Sequence, residues 1–320
     1  MNRIAPDPIG VYSSAPEDMP DWARDLRDDA VPWACLYRIS GRKAKRQSTP
    51  PVVEYADGGS LMRVKFPLAA EIDRVGGKRA KISRFSSASR NRMLDFIAAL
   101  PKAGLCLPLF VTLTYPDQFP TDGQVWKRHL AAWRRRLERK YGKCLVIWKL
   151  EPQKRGAPHF HLMLYLVADI DIVWLSTSWY EVVASGDVKH LLAGTQVQRA
   201  ESSDGVLGYA AKYLGKEVPA GWDNPGRYWG AWNRELAPIV MCRKEINWLQ
   251  AYKLRRVAYR FMDVAARNKA ARRRERLAAG KEVGPAVRRR GSMYRIRGRG
   301  AKAYLKSETV QRIVSGVCDG

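Results

Sequence analysis

Two apolar runs of strand length stand close together in the chain, Cys144-Leu-Val-Ile-Trp-Lys-Leu-Glu151 and Pro158-His-Phe-His-Leu-Met-Leu-Tyr165. The link between them, Pro152-Gln-Lys-Arg-Gly-Ala-Pro158, is rich in turn-forming residues. Apolar runs bounded by such a link are typical of two antiparallel strands. The stretch therefore predicts a β-hairpin.

The second run places two of the four histidines of the chain, His159 and His161, at a spacing of two. Successive side chains of a strand point to opposite faces, so both imidazoles project from one face and Phe160 from the other. A hairpin can return Glu151 to the same side. Two imidazoles and a carboxylate form a mixed nitrogen and oxygen set that leaves coordination positions open, as a catalytic metal site requires. The alternative is a strand with solvent-facing histidines and an exposed Glu.

A second candidate site lies in the segment 202–216, where a polar cluster precedes a short helical pattern. Tyr209, Lys212, Tyr213 and Lys216 fall on one side of the predicted helix. Two phenols one turn apart, each near an ammonium, are a candidate nucleophile set for a phosphodiester. The alternative is an ordinary amphipathic helix with packed tyrosines and solvated lysines.

Three motifs follow one another in the chain: Phe110-Val-Thr-Leu-Thr-Tyr-Pro-Asp117, Pro158-His-Phe-His-Leu-Met-Leu164 and Tyr209-Ala-Ala-Lys-Tyr-Leu-Gly-Lys216. Together, and in this order, they resemble the motifs of the HUH endonuclease superfamily. The paired tyrosines are similar to those of the two-tyrosine rolling-circle replication initiators of filamentous and icosahedral single-stranded DNA phages. The resemblance covers residues 85–250.

The resemblance implies a metal-dependent enzyme that nicks one DNA strand and transfers it through a 5′-phosphotyrosine. Mg²⁺ or Mn²⁺ would be held by His159 and His161, with Glu151 as the third ligand, or Asp117 or a water if the hairpin displaces Glu151. The catalytic residues would be the two tyrosines and two lysines of the third motif. It also implies an α+β fold, a central antiparallel sheet flanked by helices and related to the ferredoxin-like arrangement. The sequence agrees, since its strands adjoin a long helix instead of alternating in βαβ units.

Two other functions fit part of this pattern. A two-tyrosine transposase or a plasmid relaxase shares the chemistry, although relaxases are typically longer and carry a three-histidine cluster that this sequence lacks. A non-enzymatic basic nucleic-acid-binding protein would carry the motifs only as packing residues. A covalent protein–DNA adduct separates the enzyme from that last class.

Composition favours a nucleic-acid partner. Lys and Arg number 57 against 31 Asp and Glu, for a formal charge of +26, which attracts polyanions. No apolar run reaches the ~18 residues of a membrane span, no signal peptide is evident, and the five scattered cysteines indicate reduced thiols. We therefore expect a protein of the bacterial host cytoplasm that acts on single-stranded and supercoiled origin DNA. With no phosphate-loop motif in the sequence, helicase and polymerase would come from the host.

We divide the chain into an N-terminal extension (1–60), an endonuclease domain (61–250) and a basic, helical C-terminal extension (251–320). Residues 251–306 contain 19 Lys or Arg and only three acids, a composition suited to phosphate contacts. Tyr304 within it is either a base-stacking residue or incidental. The predicted DNA-binding residues are Arg134, Arg135, Arg272, Arg273, Arg274, Arg288, Arg289 and Arg290.

Local patterns predict several further elements. A hairpin is expected at 52–66 and a helix at 87–100. Thr121 and Gln124 have capping-box spacing, which indicates a helix from there to near Gly142. The pattern of segment 248–279 predicts a helix. Segment 280–300 is interrupted by Gly and Pro, which predicts an arm. The apolar face of the helix at 121–142 consists of Trp126, Leu130, Trp133 and Leu137.

Overall fold

The computed structural model describes residues 49–66, 85–202, 225–281 and 300–318, together with the single residues 82, 206, 222 and 283. Its strands are β1 (Val52–Ala56), β2 (Leu61–Lys65), β3 (Leu109–Thr114), β4 (Leu145–Pro152), β5 (Pro158–Tyr165), β6 (Thr195–Arg199), β7 (Trp229–Trp232), β8 (Met241–Glu245) and β9 (Ala301–Tyr304). Its α-helices are α1 (Ser87–Ala99), α2 (Gly123–Tyr141), α3 (Ile172–Val183), α4 (Val188–Ala193), α5 (Trp248–Ala278) and α6 (Ser307–Cys318). A 3₁₀ turn spans Arg234–Leu236.

The main sheet has five antiparallel strands in the order β6-β3-β5-β4-β7. The predicted hairpin of β4 and β5 forms its centre, with Leu145 opposite Tyr165 and Pro152 opposite Pro158. The predicted α+β class, with a central antiparallel sheet flanked by helices, is confirmed.

One face of the main sheet packs against α2 and α3, because the alternation of β5 sends Phe160, Leu162 and Leu164 to that side. The four residues predicted as the apolar face of α2 are all buried there. The helix begins one residue later than its capping-box spacing suggested: Asp122, not Thr121, is the N-cap and accepts from the backbone N–H of Gln124. A carboxylate suits this position as well as a hydroxyl.

The opposite face of the main sheet is divided into two parts. Toward one end, Met93 and Ile97 of α1 pack on Phe110, Ile147 and Met163. Toward the other end, alternation along β3, β4 and β5 gives this face polar residues instead. They are Thr112, Thr114, Lys149, Glu151, His159 and His161.

A second antiparallel sheet has the order β8-β1-β2-β9 and is covered by the first part of α5 and by α6. Its strands come from all three parts into which the sequence was divided. The hairpin of β1 and β2 confirms the prediction for 52–66. Tyr304, on β9, donates a hydrogen bond to Oδ1 of Asp95 in α1 at 2.6 Å. That hydroxyl therefore links the second sheet to α1.

The long helix α5 confirms the prediction for 248–279 and has two different parts. Ala251, Leu254 and Ala258 are buried in the second core. From 270 to 281 every residue except Arg273 is exposed. Most of the predicted arm at 280–300, namely residues 282 and 284–299, lies outside the described residues. None of the helices in the described parts of the chain is both long and apolar enough to cross a membrane.

Candidate metal centre

Cross-strand register brings the predicted ligands together. Glu151 on β4 lies directly opposite His159 on β5, and His161 follows two residues later on the same face. One ligand atom from each of the three residues lies within 4.8 Å of the others. Glu151 and His161 are buried, with exposed fractions of 4% and 8%, whereas His159 is half-buried. The described residues of the chain thus bring three donors together, of which His159 is the most exposed.

Two neighbours, His161 and Lys149, contact the carboxylate of Glu151. Its Oε1 lies 2.7 Å from Nε2 of His161, and its Oε2 accepts from the ammonium of Lys149 at 2.9 Å. Burial alone would raise the pKa of this carboxyl, but the hydrogen bond and charge of His161 and the charge of Lys149 outweigh it and lower the pKa to about 2. Glu151 is therefore an ionised ligand candidate across the physiological range.

Two threonines of β3 contact the imidazoles from the neighbouring strand. Thr114 pairs with His159 and Thr112 with His161. Their hydroxyls lie 3.0 Å and 3.4 Å from the respective Nδ1 atoms. A hydroxyl at Nδ1 fixes the ring orientation and directs Nε2 to the other side, as residues around metal-binding histidines commonly do.

The backbone of Thr114 is itself held by three hydrogen bonds. Its carbonyl oxygen accepts from Nε1 of Trp179 and from Nε2 of His190, each at 2.7 Å. Its backbone N–H donates to Gly194 at 2.8 Å. Helices α3 and α4 therefore fix the strand end that positions His159, which explains the buried His190 as a structural residue.

The donor set fits a divalent cation. Two imidazoles and one carboxylate suit ions that accept both nitrogen and oxygen ligands, and three protein donors leave positions for water or phosphate oxygens. Asp117, the substitute ligand considered from the sequence, has a side chain that is 97% exposed and pairs with Arg155 at 3.3 Å. Because the hairpin keeps Glu151 in place, no substitute is required.

Some of the other predicted site residues lie outside the described parts of the chain, and the rest differ in their contacts and exposure. Tyr209, Lys212, Tyr213 and Lys216 lie outside the described residues, as do Arg288, Arg289 and Arg290. The guanidinium of Arg134 donates to Glu138 and to Asn233, so it joins α2 to the turn after β7. The side chains of Arg135, Arg272 and Arg274 are exposed, and that of Arg273 is partly so.

Lys149, Thr112 and Thr114 were not among the residues predicted for the site. The alternation of β4 carried a signal for Lys149, since a Lys two residues before Glu151 in an apolar strand must share its face. Thr112 and Thr114 lie in the first of the three motifs, but their contacts with the histidines could not be predicted because they depend on the register of β3 against β5.

The segment that contains this centre matches a known family. Residues 108–218 match the model of the ORF2-type family of replication-associated proteins. The chain is 26% identical over 260 residues to a replication-associated protein of Pseudomonas phage Pf3, covering 74% of this chain and 81% of that protein. No solved structure matches the chain.

Two proteins of Xylella fastidiosa that are named as putative replication proteins are also similar. The one from strain 9a5c is 30% identical over 172 residues, or 48% of this chain and 57% of its own length. The one from strain Temecula1 is 29% identical over 168 residues, or 48% of this chain and 61% of its own length. The chain therefore spans little more than half of these two relatives. Its central segment, which contains Glu151, His159 and His161, is similar to replication-associated proteins of the ORF2-type family.

Proposed function

We propose that the protein is a metal-dependent endonuclease and strand transferase that nicks one DNA strand to initiate rolling-circle replication. One observation carries the proposal: Glu151, His159 and His161 converge on one face of the central hairpin, inside the segment that matches replication-associated proteins. The matched segment also includes Tyr209 and Tyr213. Ligands and nucleophiles thus belong to a single stretch of sequence.

Glu151, His159 and His161 would hold Mg²⁺ or Mn²⁺. When bound, the ion would supply Lewis-acid polarisation of the scissile phosphate. The protein's own part is to set the site geometry, with Thr112 and Thr114 orienting the imidazoles and Lys149 holding the carboxylate. A pre-arranged set of ligands loses little entropy when the phosphate arrives.

In the proposed reaction the phenol oxygen of Tyr209 or Tyr213 attacks phosphorus. A bond forms between tyrosine oxygen and phosphorus, the bond from phosphorus to the 3′ oxygen breaks, and the phenol proton ends on that 3′ oxygen. Lys212 and Lys216 would offset charge on the phosphoryl oxygens. The free 3′-hydroxyl then primes the host polymerase. The second tyrosine would cleave the regenerated junction after one round, and the released 3′-hydroxyl would resolve the first adduct.

The proposed substrate is single-stranded DNA at a supercoiled origin. The net charge of +26 and the exposed basic part of α5 support electrostatic binding along the strand. Arg135, Arg272 and Arg274 have the exposure that phosphate contacts require. Arg134 is a weaker candidate, because its guanidinium already donates to Glu138 and Asn233.

The test is covalent capture of DNA. Labelled single-stranded fragments tiled across the element that carries the gene are incubated with the protein and Mg²⁺ or Mn²⁺, then denatured and separated. We expect one fragment to give a protein–DNA adduct, with the label on the 3′ side of the nick retained on the protein. Binding without an adduct under any metal condition would identify a non-enzymatic DNA-binding protein instead.

A further inference from the structure

Lys149 places a buried positive charge inside the candidate metal centre. Its exposed fraction is 1%, and its Nζ lies 2.9 Å from Oε2 of Glu151. On the sheet it stands directly opposite His161, and its ammonium lies 5.6 Å from the centre of the Phe85 ring. The ammonium of Lys149 is therefore part of the candidate site and lies beside Glu151, the acidic residue among the three candidate ligands.

The charge balance of the centre is unusual for a cation site. The imidazole ligands are neutral when they bind an ion, so Glu151 supplies the only negative charge among the three donors. Lys149 already balances that charge. Counted over the described donors and Lys149, a divalent cation would consequently bring two positive charges more than Glu151 balances, in a site where Glu151 and His161 are buried. Uncompensated charge is costly where burial limits solvation.

A DNA backbone supplies the missing compensation, since each phosphodiester carries one negative charge. We propose that Lys149 couples metal binding to DNA binding: it weakens the affinity of the centre for a divalent cation alone and restores that affinity when a phosphodiester occupies the site. The inference rests on the proposed metal-dependent function and adds a coupling between the binding of its metal and the binding of its DNA. By thermodynamic linkage, the metal must strengthen phosphate binding at the site by the same factor.

A purely structural role for Lys149 predicts something different. An ammonium that only holds Glu151 in position would help the cation bind, so its removal would lower metal affinity whether or not DNA is present. Under the coupling proposal its removal raises metal affinity in the absence of DNA. The sign of one measurement therefore separates the two roles.

The experiment measures Mn²⁺ affinity of the full chain by electron paramagnetic resonance, alone and with a thymidine 12-mer. A methylphosphonate 12-mer, which has the same bases without backbone charge, is the matched ligand control. For the wild type we expect the phosphodiester, but not the methylphosphonate, to tighten Mn²⁺ binding about tenfold, the scale of a unit charge near a partly screened site. Lys149→Met should bind Mn²⁺ several-fold tighter than wild type without DNA and respond less to the 12-mer.

Two control variants and one substitute for Lys149→Met are measured in the same way. Lys149→Arg keeps the charge and should keep the coupling. Lys127→Met removes a lysine whose Nζ sits 4.3 Å from the ring centre of Trp148, on the opposite face of β4, and should change neither value. Should Lys149→Met not fold, Lys149→Gln keeps a donor to Glu151 without the charge and gives the same comparison.

The outcomes distinguish the inference from the function on which it rests. If the wild type binds no Mn²⁺, the proposed metal centre fails and the coupling fails with it. If the wild type binds Mn²⁺ equally well with and without the 12-mer, or if Lys149→Met weakens binding in both conditions, the coupling role is overturned while the metal centre stands.

Discussion

Oγ1 of Thr114 lies 3.0 Å from Nδ1 of His159, on the neighbouring strand of the main sheet. The same threonine is fixed through its carbonyl by Trp179 of α3 and His190 of α4. The orientation of one candidate metal ligand is thus connected to helices α3 and α4. This relationship makes Thr114 a positioning residue whose role can be measured.

Thr114→Val should reduce metal affinity about tenfold, at the lower end of the effects seen when partners of metal-binding histidines are removed. Valine keeps the shape of the side chain and removes only the hydroxyl, so the fold should persist. Thr112→Val is the matched control, because its contact with His161 is longer, at 3.4 Å, and a smaller effect follows. Calorimetric titration with Mn²⁺ and a thermal melt check both variants. Equal affinities for Thr114→Val and the wild type would remove Thr114 from the site.

The combined substitution His159→Ala and His161→Ala should abolish metal-dependent nicking while leaving most of the DNA affinity. Binding rests on phosphate contacts distributed over the chain, whereas cleavage requires one metal centre. His129→Ala is the control, because His129 contacts Tyr115, at 3.0 Å, away from the centre. Nicking and gel-shift assays on the same oligonucleotide give the comparison. Nicking by the double variant at the wild-type rate would contradict the site.

Tyr209→Phe or Tyr213→Phe alone should leave a detectable covalent adduct but impair strand transfer, and the double substitution should eliminate the adduct. On the helix that the sequence predicts for this segment, two phenols one turn apart could approach the same phosphate, and phenylalanine removes only the nucleophilic oxygen. Adduct yield and circle formation are measured separately. If one single variant loses all cleavage and the other completes full cycles, the enzyme uses one tyrosine.

Acid should weaken the fold through Glu151. The folded state lowers the pKa of this carboxyl from 4.5 to about 2, so its contribution to stability is fully present above pH 4.5 and is lost as the pH falls toward 2. The shift corresponds to roughly 3 kcal/mol. Glu151→Gln should therefore be less stable than wild type at neutral pH, with the difference shrinking between pH 4.5 and 2. Urea titrations across that range, without metal, measure it; a constant difference would rule out the linkage.

Replacing Arg272, Arg273 and Arg274 with Gln should flatten the salt dependence of DNA binding. Removing one phosphate contact lowers the slope of log K against log salt by about 0.7 on single-stranded DNA, so a reduction of up to about 2 is expected. Removal of all of α5 would be a poor substitute, because Ala251, Leu254 and Ala258 lie in the second core. Fluorescence anisotropy at several salt concentrations gives the slopes, and an unchanged slope would show that this part of α5 does not touch DNA.

Local patterns were sufficient to predict the elements that surround the site. The hairpin of β4 and β5, the helix α1 and the apolar face of α2 are encoded in contiguous residues, since strand alternation, turn residues and helical periodicity act over a few positions. The same locality explains why His159 and His161 were identified, and why the hairpin could place Glu151 beside them.

Contacts between residues that are far apart in the chain could not be predicted from local patterns and are seen only in the folded protein. Thr114 and His159 are 45 residues apart, and Thr112 and His161 are 49 apart, so their pairing depends on how β3 docks against β5. The second sheet likewise joins β1, β2, β8 and β9, which are separated by up to about two hundred and fifty residues. Such pairings are fixed by which faces must be buried together, and no short window of sequence contains that information.

The amino-acid sequence alone thus pointed to the three candidate ligands, because side-chain type and strand alternation are local properties. The distances between the charged groups of the centre, and their burial, are determined by tertiary packing. The strand pattern puts Lys149 on the face of Glu151, but only the folded sheet buries the ammonium 2.9 Å from the carboxylate and aligns Nε2 of His161 with the other oxygen. Charge compensation of a buried group depends on distances across strands and on exclusion of water, and both arise only when the sheet and its covering helices assemble.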